Sequence, residues 1–200
     1  MSDGRERPAA GDALLIIDMQ RWMFRTPERS AQLPVLCANI ASLIAVFEAS
    51  GLPIFDVRTE HRADRSTWSR LMRKHDYSCL IEGTPDAEPV EGFSPPRGGI
   101  GVIKRANSAF LGTALESRLK DAAVDRLFLC GVFMDGCVGL TAADAAQRGY
   151  DVVFVTDAIA IPATPITPPS GAGSLPIMSS ASRRPPGSPQ PLIRKNHRAR

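Results

Sequence analysis

Three side chains of complementary chemistry stand where apolar runs give way. Asp18 closes the run Ala13-Leu-Leu-Ile-Ile-Asp18, Lys104 closes Ile100-Gly-Val-Ile-Lys104, and Cys137 follows Leu127-Phe-Leu-Cys-Gly-Val132 across the short turn Phe133-Met-Asp-Gly136. A thiol, a carboxylate and an ammonium suffice for covalent hydrolysis of an acyl group. The sulfur attacks, the carboxylate moves the proton, and the ammonium steadies the developing charge. Cys137 is expected at the start of a helix, where unpaired N–H groups and the helix dipole favour negative charge. With an ammonium nearby, the expected resting form is the thiolate. The backbone N–H groups of Phe133 and Cys137 are placed to face an oxyanion. Each residue also has a plainer reading: Asp18 as a helix cap, Lys104 as a solvated rim charge, Cys137 as a small core residue.

The elements that must position these residues are legible from periodicity. Continuous apolar runs predict buried strands over 13–18, 53–57, 100–104, 127–132 and 151–156. Apolar residues at helical spacing predict helices over 34–50, 113–123 and 135–149, with a short one near 67–74. Strands that alternate with helices imply a three-layer α/β fold: a parallel, Rossmann-like sheet with helices on both faces. Ligands of such sheets gather at the carboxyl ends of the strands, which is where all three residues fall.

Composition narrows the function classes. The 200-residue chain is 44% hydrophobic and 22% charged, within the ordinary globular range. Its net charge of +3 belongs to the tail. Residues 161–200 hold six basic residues and no acidic one; without them 18 basic residues face 21 acidic, a balance of −3. No basic body for nucleic acid is expected. No run is long enough for a membrane span, and the polar N-terminus has no secretory h-region. The four cysteines Cys37, Cys79, Cys130 and Cys137 form no CxxC pair, so a reduced, cytoplasmic protein is expected. Residues 1–12 read as a flexible segment and 13–160 as the domain. Residues 161–200, with nine of the 17 prolines, read as a disordered Pro/Ser/Arg-rich tail.

Four stretches in order resemble the isochorismatase-like cysteine hydrolases, the superfamily that includes nicotinamidases and N-carbamoylsarcosine amidases. They are Leu14-Leu-Ile-Ile-Asp-Met-Gln20; Val102-Ile-Lys-Arg-Ala-Asn-Ser-Ala-Phe110 with Gly112, Thr113 and Leu115; Leu129-Cys-Gly-Val-Phe-Met-Asp-Gly-Cys-Val138, continuing through Thr141-Ala-Ala-Asp-Ala145; and Val153-Phe-Val-Thr-Asp-Ala158. The resemblance implies Asp18 as acid/base, Lys104 as the transition-state cation, Cys137 as nucleophile and a cis peptide between Val132 and Phe133. It also implies a homo-oligomer acting on a small molecule. Relatives that cleave the isochorismate vinyl ether lack the cysteine, so Cys137 favours amide or carbamoyl hydrolysis through a thioester.

Metal-dependent nicotinamidases carry an Asp-x-His pair with a second His; here Arg58-Thr-Glu-His-Arg-Ala-Asp64 has only His61, so neither metal nor other cofactor is expected. Arg58, Trp68, Arg105 and Phe133 are candidates for the substrate pocket, with arginine suited to a carboxylate. The family continues past the Asp157-Ala158 pair with two helices and a sixth strand. Their absence here predicts an exposed edge strand and raises the idea of a shifted reading frame or truncated gene. Translating the coding DNA in the other two frames tests that idea. An alternative function follows: a binding-only or catalytically impaired relative. A nucleotide-binding reading of Gly98-Gly-Ile-Gly101 fails because the glycines precede a strand.

Overall fold

The computed structural model describes residues 8–161. The proposed tail beyond 161 and the first seven residues lie outside the described part. Five strands form one parallel sheet: β1 (Asp12–Ile17), β2 (Ile54–Thr59), β3 (Ile100–Lys104), β4 (Arg126–Gly131) and β5 (Asp151–Ile159). Their spatial order is β3-β2-β1-β4-β5. Five helices accompany them: α1 (Pro27–Ser30), α2 (Leu33–Ala49), α3 (Arg70–His75), α4 (Leu115–Asp121) and α5 (Cys137–Gln147). The chain winds from β1 outward through β2 to β3, then crosses to β4 on the other side of β1. The order therefore reverses between β1 and β4, the position at which open α/β sheets bind their ligands.

Strand alternation divides the core into two layers. Ala13, Leu15 and Ile17 of β1 face α4 and α5, with Phe55, Val57, Leu127, Leu129, Leu115, Leu119 and Val138 in the same cluster. Leu14 and Ile16 face the other way, onto Ile40, Ile44 and Phe47 of α2 and Phe128 and Cys130 of β4. The three-layer α/β expectation holds. β1 begins at Asp12, one residue earlier than periodicity indicates, because the Asp12 carboxylate is gripped by Arg126 at 2.7 and 2.8 Å across the β1–β4 pair. No helix among the described residues is long and apolar enough to cross a membrane.

β5 is the outermost strand among the described residues. Val152, Val153 and Val155 are only half-buried there, and Phe154 is 39% exposed. Gly131 closes β4 at φ +105°, and a Cβ at that position would sit 2.1 Å from the Ile17 carbonyl oxygen. Only glycine lets β4 approach the end of β1 this closely, and the turn carrying Phe133 starts from that contact.

Candidate active site

Asp18 follows the last residue of β1 with φ +54°, a left-handed conformation that aspartate tolerates better than bulkier residues. Its side chain is fully buried. Lys104 ends β3, two strands away. Strands lie about 4.8 Å apart, so the lysine side chain and the Asp18 carboxylate must together bridge roughly 10 Å over the end of β2. They do so: Lys104 Nζ lies 2.8 Å from Asp18 Oδ2 and donates to Cys137 Sγ at 3.1 Å. It also donates to Thr59 Oγ1 at 2.7 Å and to the Ala106 carbonyl at 3.1 Å. Cys137 is the first residue of α5, directly after the turn that leaves β4. Three distant stretches of chain thus meet at the β1/β4 switch point, on the face covered by α4 and α5.

The turn contains a cis peptide between Val132 and Phe133, as the resemblance implies. The Val132 amide donates to the Ile17 carbonyl at 2.9 Å, which fixes the turn to the end of β1. The Phe133 carbonyl accepts from the amides of Gly136 at 3.0 Å and Val138 at 3.2 Å. The amides of Phe133 and Cys137 make no hydrogen bond among the described residues. Asn107, which sequence reasoning missed, places Oδ1 3.9 Å from the Cys137 sulfur.

The charges are coupled. Burial alone pulls the Lys104 ammonium down, but the Asp18 carboxylate and the Cys137 sulfur more than offset this, so its pKa stands above the ordinary lysine value. Cys137 does not follow the expectation of a resting thiolate. Burial first, and then the Asp18 charge and hydrogen bond, outweigh Lys104 and push the thiol up to about 12. Sequence position identified the favourable cation but not the desolvation or the adjacent carboxylate. The wild type minus Cys137→Ser difference in ultraviolet thiolate absorbance should therefore be flat at neutral pH. A midpoint below the ~8.5 of a free thiol would overturn this.

Of the candidates for the pocket, Arg58 lies on β2, where Phe55 and Val57 join the core cluster of α4 and α5 and Arg58 alternates to the other face. Its guanidinium lies 3.5 Å from Asp56 and 3.7 Å from Glu60. Trp68 is buried in its own loop. Its Nε1 donates to the Arg62 carbonyl at 2.9 Å, and the Arg65 guanidinium covers its ring. It packs that loop. Arg105 is exposed, and no carboxylate pairs with it among the described residues. Its charge is felt by His61, whose pKa is lowered by burial first and by Arg105 and Lys104 as well. The ring of Phe133 packs against Phe24 and lies under the Arg29 guanidinium at 4.7 Å.

His61 Nδ1 is 3.0 Å from the Thr67 carbonyl, and among the described residues no three His, Cys, Asp or Glu side chains gather. Two clefts, of about 400 and 380 Å³, lie away from the triad. One is at the start of β2 and β3, beside Glu48 and Arg97, and the other is beside Cys37 and Glu91.

A parallel α/β sheet with a thiol, a carboxylate and an ammonium at its switch point has the makeup of a cysteine hydrolase. The chain belongs to the isochorismatase family: the Isochorismatase domain model matches residues 12–164. It is 29% identical to maleamate amidohydrolase of Pseudomonas putida over 154 residues, covering 74% of this chain and 71% of that one. The structure of N-carbamoylsarcosine amidase from Thermoplasma acidophilum superposes with a TM-score of 0.66 at 28% identity, covering 77% of this chain and 86% of that one. An isochorismatase family protein from Desulfovibrio vulgaris superposes with a TM-score of 0.65 at 35% identity, covering 76% and 82%.

Proposed function

We propose that this isochorismatase-family hydrolase cleaves an amide or carbamoyl C–N bond of a small molecule through a thioester on Cys137. The observation that carries the reading is the Lys104 ammonium held between the Asp18 carboxylate, at 2.8 Å, and the Cys137 sulfur, at 3.1 Å. The thiol is protonated at rest, so attack and proton transfer go together. Sulfur bonds to the carbonyl carbon while its proton passes to Asp18. The developing sulfur charge is met by Lys104. The carbonyl oxygen becomes an oxyanion facing the free amides of Phe133 and Cys137. Asp18 then gives its proton to the nitrogen, the C–N bond breaks, and ammonia or an amine leaves. In the second half, water attacks the thioester, its proton passes to Asp18, and the C–S bond breaks to release the acid. The sulfur recovers the proton.

Mass spectrometry during turnover should find an acyl group on Cys137, starting with maleamate and N-carbamoylsarcosine, the substrates named for two relatives. A wider panel of small amides should follow. Turnover without an adduct on Cys137, even after rapid acid quenching, would refute the covalent course. A second reading, a binding-only relative, draws on the burial of Asp18 and Lys104. Binding of panel members without conversion would favour it.

A further inference from the structure

Thr59 is the last residue of β2 and sits beside Lys104 in the β2–β3 register. Its hydroxyl occupies the gap that the lysine stem crosses. It accepts from Lys104 Nζ at 2.7 Å and donates to Asp18 Oδ1 at 2.9 Å. The direction of this chain is forced. An ammonium has only donors, so the hydroxyl oxygen must accept from it, and the single hydroxyl proton is left for the carboxylate. The two oxygens of Asp18 therefore differ. Oδ1 is capped by a proton donor. Oδ2 is buried and faces the Lys104 ammonium at 2.8 Å, on the side of the carboxylate not taken by Thr59.

We propose that Thr59 is a positioning residue: its hydroxyl, locked by Lys104, occupies Asp18 Oδ1 and leaves Oδ2 as the oxygen that takes the Cys137 proton. This rests on the covalent reading above and adds to it how the base is aimed. Thr59 is itself held in place. The buried Gln20 side chain accepts from the Thr59 amide at 3.0 Å, and its Nε2 donates to the Thr59 carbonyl at 2.9 Å and the Ala87 carbonyl at 2.8 Å. Gln20 lies two residues after Asp18, so one short stretch supplies both the base and the clamp on its orienting partner. The other charged groups near Asp18 are Lys104 from β3, Cys137 from α5 and Asp56 from β2, whose own pKa is raised by burial first and in part by Asp18.

Thr59→Val keeps the shape of the side chain and removes the hydroxyl. The test compares wild type, Thr59→Val and Thr59→Ser on a substrate that forms the Cys137 adduct. The valine variant should lose on the order of 100-fold in kcat, the low end of what one positioned proton-transfer group contributes, with KM little changed. Serine, which keeps the hydroxyl, should restore kcat. Should the valine protein not fold, Thr59→Ala is read in its place. A valine variant with wild-type kcat, or a serine variant as slow as the valine one, overturns the positioning role while leaving the adduct, and so the covalent reading, intact. Absence of the adduct in wild type would strike the covalent reading and this inference together.

Discussion

Cys137→Ala should abolish turnover, by roughly 10⁴-fold or more, while substrate binding and the fold persist. Among the described residues at the β1/β4 switch point, the sulfur is the strongest nucleophile for a covalent acyl intermediate. Lys104 is held as a cation, and Asp18 is occupied with proton transfer. Alanine removes the attacking atom but leaves the Asp18–Lys104 pair and the Thr59 bridge in place, so what remains is a binding site with a charge pair and no nucleophile. Stability offers a second readout whose sign follows from the thiol. Its folded pKa, pushed up to about 12, is above that of the unfolded thiol, ~8.5. The folded state therefore holds this proton where the unfolded state releases it. That contribution is fully present below the unfolded value and is lost as pH rises through the folded one. Denaturant titrations should show wild type losing stability as pH rises above ~8.5, and Cys137→Ala losing less. Measurable turnover in the alanine variant would remove covalent catalysis.

The residues that proved legible are those whose type contradicts their surroundings. A carboxylate, an ammonium and a thiol at the ends of apolar runs stand out, and the fold brings Asp18, Lys104 and Cys137 within bonding distance. The layers were legible too, since unbroken apolar runs for strands and helical spacing for helices are local signals. What stayed hidden depends on register. Thr59 and Gln20 look like ordinary polar residues, and their roles exist only because β2 pairs with β3 so that Thr59 falls beside Lys104. With β2 read as ending at Val57, Arg58 fell in a loop near the site. Two more residues of strand turn Arg58 to the opposite layer and Thr59 toward the triad. The protonation state of Cys137 was hidden for a different reason. Helix position and a nearby cation are visible in sequence, whereas burial beside Asp18 is a property of the packed site.

Lys104→Met should damage both activity and stability, and the double variant separates the two. Lys104 is 1% exposed, with its charge set against a fully buried carboxylate. Methionine fills a similar volume without charge, so packing is largely kept, but Asp18 is left buried without its counter-ion. Breaking one side of such a pair costs about 3–5 kcal/mol, whereas removing both charges together is close to neutral. Chemical denaturation of Lys104→Met should show a loss in that range, and Asp18→Asn/Lys104→Met should recover most of it. Turnover should fall on the order of 10²–10³-fold or more in the single variant, because no other described cation at the switch point meets the developing sulfur charge, and the double variant should be no more active. Stability at alkaline pH is a further readout. The folded pKa of Lys104 is raised, so its contribution is fully present below the unfolded value of ~10.4 and is lost as pH rises through the folded one. Wild type should carry that loss and Lys104→Met should lack it. A double variant as unstable as the sum of its two single changes would mean that the ammonium and the carboxylate do not act as a pair. Recovered stability with dead chemistry would assign the ammonium to the reaction as well as to the fold.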